Sequence, residues 1–256
     1  MTEPDDPTSK YRAPALEKGL DVLEILASRG APMTVSQIST ALNRSVSELF
    51  RMIQVLEHRG YVANAANGDG LVLTNKLFAL GMTRAPAKTV LEAALPVMRR
   101  LADAIGQSCH LAVASADQMV VVARVESPGN QGFSVRVGYH RRLIEATSGL
   151  VLYAYQPETV REEWRARLRP TIDAALWSDF EARADKARAD QYVLADSSVT
   201  KSVLDISAPI LAPDGVAAAL TSPYIETPTA IPVAETIAAL RAAATEISIE
   251  MGGEFQ

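Results

Sequence analysis

Four groups of side chains in this 256-residue sequence could act on another molecule. The first is Cys109 beside His110, with His58 and His140 elsewhere, which would suit a thiolate nucleophile with a base, or a metal ion. One thiol and three scattered histidines lack the spacing of a structural zinc site, so no metal and no cofactor are expected. Cys109 alternates with Leu111 and Val113 in a strand pattern, which makes it a small buried hydrophobe. Neighbours in a strand face opposite ways, so adjacency gives Cys109 and His110 no dyad. Ser148-Gly149 lacks the flanking glycines of a nucleophile elbow, and the chain is not expected to be an enzyme.

The second group, Arg136, Arg141 and Arg142, could hold an anion or simply remain solvated. The third is Asp205, an acceptor that disfavours a simple carboxylate ligand and suits one that donates hydrogen bonds. It could equally face solvent or pair with Arg136 or Lys201. The fourth is a run of polar residues at the start of one helix. Ser47, Glu48, Phe50, Arg51 and Gln54 fall outward when Leu49, Met52, Ile53 and Leu56 turn inward at i, i+3, i+4 and i+7, and Ser45 stands at the start of the helix. Arg51 and Gln54 can reach base edges or phosphates, and Ser45 and Ser47 can offer hydroxyl and backbone N–H groups to phosphate. Glu48 could accept from a cytosine amino group or close a capping box.

The elements around that run fit a winged helix-turn-helix. A helix opens at Pro14 with Leu16, Leu20, Leu23 and Leu26 as its apolar stripe and ends at Gly30. Thr34-Val-Ser-Gln37 and Ser45-Val-Ser-Glu48 are capping boxes that start two further helices, the first carrying Ile38, Ala41 and Leu42. After Gly60, strands at Tyr61–Ala63 and Leu71–Thr74 flank the turn Asn67-Gly-Asp-Gly70, forming a wing whose tip puts Asn67 near DNA. The division expected is a disordered tail over 1–10, the winged head over 11–74, a linker helix over 75–85, and a larger domain over 86–256.

In that larger domain Pro86 interrupts, and a long helix carrying Val90, Leu91, Leu95, Met98, Leu101 and Ile105 runs to Gly106. Strands are expected at Cys109–Ala114, Met119–Glu126 and Phe133–Val137, then helices near 147–155, 158–168 and 178–190. Val203–Leu211 and Val216–Tyr224 flank the turn Pro213-Asp-Gly215, and a helix near 231–250 follows. Strands in runs on both sides of the helices predict a mostly antiparallel sheet with helices on its faces, an α/β fold.

Bulk properties limit what partners are possible. A net charge of −5 excludes a chain that coats nucleic acid by global electrostatics. In the head Lys and Arg barely outnumber Asp and Glu, so DNA contact must come from a few placed side chains. No apolar run is long enough to span a membrane and the first residues are acidic and polar, so a cytoplasmic protein without membrane partners is expected.

Pro14–Leu26, Met33–Leu42 and Phe50–Tyr61 together resemble the head of the IclR family of transcriptional regulators, and Leu71–Gly81 resembles that family's passage from wing to linker helix. The likeness covers residues 12–82. Val137-Gly138, Leu143, Ser148-Gly149, Gln191-Tyr192, Ile206–Ile210 and Asp214-Gly215 resemble the family's GAF-like α/β effector-binding domain. Three positions depart: Arg142-Leu143-Ile144 stands where Pro-Leu-His is usual, and Leu150 where a lysine is common. The resemblance implies a homodimer or a dimer of dimers on double-stranded operator DNA. It also implies a small-molecule effector held by Gly138, Tyr139, Leu143, Ser148, Gly149, Val203, Asp205, Leu220 and Ser222. Three other readings remain: a regulator without ligand control, a head that binds protein, and a ligand-binding or enzymatic GAF-like protein.

Overall fold

A computed structural model describes residues 13–65, 68–82, 85–129, 132–228 and 230–253. The 1–10 tail and Asn67 lie outside the described residues. By its internal contacts the chain divides into Met1–Arg84 and Ala85–Gln256.

The head consists of α1 (Pro14–Arg29), α2 (Val35–Ala41), α3 (Val46–His58), a hairpin of β1 (Val62–Asn64) and β2 (Leu71–Leu73), and α4 (Lys76–Met82). Gly30 closes α1 at φ +61° while its N–H bonds back to the Leu26 carbonyl, a conformation that glycine adopts without side-chain strain. Both predicted capping boxes form, with Thr34 and Gln37 opening α2 and Ser45 and Glu48 opening α3. The core is Val22, Leu26, Met33, Ile38, Leu49, Ile53, Val62 and Leu71.

This corrects the predicted stripe of α1. Leu16 and Leu20 are 62% and 47% exposed, because only the C-terminal half of α1 meets the core, and it does so through Val22 and Leu26. Ala41 is likewise exposed. The wing has a partner that the sequence did not announce: Met33 and Leu71 exchange backbone hydrogen bonds of 3.1 and 2.8 Å. Gly70 makes this approach possible, since a Cβ there would lie 2.7 Å from the Met33 carbonyl carbon.

In the larger unit, α5 (Ala85–Ile105) leads into β3 (Cys109–Ser115), β4 (Gln118–Val125) and β5 (His140–Arg142). Then follow α6 (Thr147–Ala154), α7 (Glu158–Leu168), α8 (Ala174–Asp190), β6 (Val193–Asp196), β7 (Leu204–Ala212), β8 (Gly215–Tyr224) and α9 (Val233–Glu250). The strands form one sheet in the order β5-β4-β3-β8-β7-β6, and every described pair is antiparallel. Helices α5 and α9 cover one face, packing on Cys109, Leu111, Ile206, Ile210 and Leu220. Helices α6 and α8 cover the other, with Ala112, Val121, Val216 and Ala219.

α4 ends at Met82 and a new helix, α5, opens at Ala85, with Pro86 in its first turn, where the missing N–H has no partner to lose. One expectation is corrected here. Phe133–Val137 is not a strand. The edge position belongs to His140–Arg142, paired with Gln118–Val120, after Gly138 turns the chain at φ +85°. An additional edge strand, β6, escaped the sequence reading and pairs with Leu204–Ser207.

Candidate functional site

In the head, the site is the exposed face of α3. Leu49 and Ile53 anchor the helix from beneath, leaving Ser47, Phe50, Arg51 and Gln54 exposed. Among the described residues neither Arg51 nor Gln54 has a side-chain partner. Glu48, by contrast, is fully engaged. One carboxylate oxygen accepts the Ser45 N–H (3.0 Å) and hydroxyl (2.9 Å), and the other accepts Lys18 Nζ of α1 (3.0 Å). The Ser45 backbone bond and the Lys18 ammonium together hold its carboxyl down at about 2. Glu48 thus closes the capping box that the sequence offered as one of its two readings. Lys18 and the Arg44–Asp21 pair (3.1 Å) are ties between α1 and the α2–α3 region that sequence reading missed, because each depends on side chains far apart in the chain.

In the larger unit a small cavity of about 30 Å³ opens on the α6 face of the sheet. His110 of β3, Thr221 of β8 and Asp205 of β7 form the sheet side, Thr147 and Ser148 come from α6, and Phe133, Val135, Tyr139 and Ser197–Val199 lie across it. Arg141 sits at its margin. Of the residues expected to hold an effector, Tyr139, Ser148 and Asp205 line this cavity. Val203 does not.

Leu220 and Ser222 lie on the opposite face, Leu220 in the core under α5 and α9 and Ser222 donating to the Ser108 carbonyl at 2.9 Å. Side chains alternate along β8, so Thr221 faces the cavity where its neighbours were expected to. Leu143 is wholly buried and Gly149 lets the chain pass it: a Cβ at Gly149 would fall 2.2 Å from the Leu143 carbonyl oxygen. Gly138 supplies the turn described above. These three residues shape the cavity's surroundings without lining it.

The electrostatics of the cavity are unusual. Desolvation raises the Asp205 carboxyl above its ordinary range, partly offset by the Ser197 and Thr147 hydroxyls, with Thr147 Oγ1 donating to Asp205 at 3.4 Å. Burial lowers the His110 imidazole from 6.5 to about 4, leaving it neutral, and its buried Nδ1 has no partner among the described residues. Thr221 and Ser207 hydroxyls share a 2.8 Å hydrogen bond. Arg141 is already held by Ser198 Oγ (2.9 Å) and by Glu145 (3.3 Å). Arg142 donates to Thr171, so neither arginine is a ready anion clamp. Cys109 lies on the dry face with its thiol pushed up by burial to about 12, the opposite of an activated nucleophile.

Residues 15–65 match the profile of the IclR helix-turn-helix domain, and residues 84–249 match that of the bacterial transcriptional regulator IclR C-terminal domain. The chain belongs to the IclR family. It is 28% identical over 121 residues to the HTH-type transcriptional repressor AllR of Escherichia coli K12, covering 47% of this chain and 45% of AllR. It thus spans about half the length of the curated relatives it matches. Two solved structures share the fold. One is an IclR homolog complexed with 4-hydroxybenzoate from Microbacterium hydrocarbonoxydans (TM-score 0.75, 23% identity, covering 93% of this chain and 99% of that one). The other is Pseudomonas aeruginosa HmgR (TM-score 0.72, 24% identity, covering 93% and 99%). Among the described residues of this IclR-family chain no helix is long and apolar enough to cross a membrane.

Proposed function

We propose that this IclR-family chain is a transcriptional regulator that reads double-stranded operator DNA with α3 and is controlled by a small molecule in the α6-face cavity. The observation that carries the reading is the free outer face of α3. Arg51 and Gln54 are exposed and have no side-chain partner among the described residues, on a helix whose inner face and N-terminus are fixed by Leu49, Ile53 and the Ser45–Glu48 cap. The family assignment of both units supports it. Ser45, Ser47, Phe50, Arg51 and Gln54 are the DNA-contacting set, with Asn67 of the wing as an outer contact; Tyr139, Ser148 and Asp205 belong to the effector site. The head over 11–74, the linker over 75–85 and the sensing domain over 86–256 form the working division. The protein acts in the cytoplasm as a homodimer or dimer of dimers, so that paired heads meet paired half-sites.

Regulation requires the effector to prefer one arrangement of the heads, and typical coupling of about 1–3 kcal/mol changes DNA affinity about 5- to 150-fold. Fluorescence anisotropy on DNA upstream of the chain's own gene, across a salt series with unrelated competitor DNA, tests the reading. Saturable, competitor-resistant binding should weaken by about 1–3 kcal/mol per half-site in Arg51→Ala. Binding indifferent to sequence and to Arg51 would rule out α3 as the reading element.

A further inference from the structure

The effector cavity has a chemical polarity of its own. Its sheet side carries the Asp205 carboxylate and a neutral His110 ring, one nitrogen of which donates while the other accepts, and the buried Nδ1 has no partner among the described residues. The nearby hydroxyl donors are mostly committed. Thr147 Oγ1 donates to Asp205 at 3.4 Å, and Thr221 and Ser207 share their 2.8 Å hydrogen bond. No lysine or arginine pairs with Asp205 among the described residues. The one cation on the lining, Arg141, is neutralised by Glu145 at 3.3 Å and tied to Ser198 at 2.9 Å. Against this polar floor stand Met119, Phe133, Val135 and Val199. An anionic group placed here would face a buried carboxylate with no free side-chain cation to offset it among the described residues.

Resting on the reading of this cavity as the effector site, we infer that it selects a small non-anionic ligand. That ligand points a hydroxyl or amino donor at Asp205 and His110 and lays an apolar, ring-sized body against Met119, Phe133 and Val135. Asp205 takes the donor's hydrogen, and His110 completes the site through whichever ring nitrogen the ligand's second lone pair or hydrogen meets. At about 30 Å³ the cavity has room for a water molecule and no ring, so occupation displaces the cover. That cover is irregular backbone over Phe133–Val137 and the loop carrying Ser197–Val199, neither stretch bonded into the sheet interior. Binding is thereby linked to rearrangement on this side of the domain, which a rigid, prebuilt pocket would not provide.

Three probes of one shape isolate the head group: benzyl alcohol, benzylamine and benzoate, titrated calorimetrically and by thermal shift into the full-length protein at neutral pH. The expected result is that benzyl alcohol or benzylamine binds at least tenfold more tightly than benzoate. Asp205→Asn should erase that preference by at least tenfold, because it replaces half of the acceptor with a donor at unchanged size. The melting temperature of ligand-free Asp205→Asn reports whether it folds, and His110→Gln provides the second reading, with the same preference reduced. Benzoate binding as well as or better than the other two, no binding by any of the three, or a preference unchanged in both variants overturns the inference. Anisotropy on the upstream DNA with the same preparations keeps the two claims apart. Donor selectivity without sequence-specific DNA binding sinks the regulator and leaves the pocket chemistry standing, whereas operator binding with benzoate preference sinks the pocket chemistry alone.

Discussion

On β8, Leu220 turns to the face of the sheet covered by α5 and α9, whereas Thr221 turns to the face beneath α6. The first face is dry: Cys109, Leu111, Ile206, Ile210 and Leu220 interlock with α5 and α9. The second is apolar toward α8 but interrupted by His110, Asp205, Ser207 and Thr221, which gather where Thr147 and Ser148 begin α6. One strand thus serves the dry core with alternate residues and lines the cavity proposed for the effector with those between. The difference separates conserving the fold from choosing a ligand, since a substitution can be aimed at either face with its neighbour untouched.

The largest expected effect is on the dry face. Leu220→Ala should lower unfolding free energy in urea by about 2–5 kcal/mol while leaving the order of probe affinities unchanged. A changed ligand preference there would mean that the faces are coupled through the sheet. Next comes pH. His110 titrates near 4 folded and near 6.5 unfolded, so its contribution to stability is complete above about 6.5 and is lost as pH falls toward 4. Asp205 acts in the opposite sense, since a carboxyl held above its ordinary value costs stability as pH rises. Wild type should therefore lose up to about 3 kcal/mol more than His110→Asn between pH 6.5 and 4, read from urea midpoints at each pH. Parallel curves for the two proteins would show that His110 is hydrated.

A smaller effect is expected from Thr221→Val. It leaves the buried Ser207 hydroxyl without its 2.8 Å partner and should cost about 1–3 kcal/mol together with a loss of probe affinity. Stability loss with full probe affinity would move the cavity away from Thr221. Smallest is Ser45→Ala in the head, at about 0.5–2 kcal/mol, detectable as faster hydrogen exchange at the first amides of α3. It should leave exchange in β3 and β8 unaltered.

How much of this could be read in advance differs between the units. In the head, the caps at Thr34 and Ser45, the stop at Gly30 and the inward pair Leu49 and Ile53 were all legible, because each is a contact between residues no more than four apart. The bridge from Met33 to Leu71 was not, nor was the exposure of Leu16 and Leu20, since both depend on where a distant segment comes to rest.

The strands β3, β4, β7 and β8 and the turn at Gly215 were legible from alternation and glycine alone. Alternation, however, states only that neighbours face opposite ways. It cannot say which face holds the cavity, and Leu220 and Ser222 were expected where Thr221 stands. The same limit hid His110, which local pattern shows as one more strand residue. Sequence by itself determined the local elements, the family and the outward face of α3, because these follow from short-range backbone and side-chain geometry. Only the tertiary structure decided that Glu48 is bound by Lys18 and that Asp205, His110 and Thr147 meet at one cavity. Those encounters join segments dozens of residues apart, and their energies come from burial that exists only once the chain has folded.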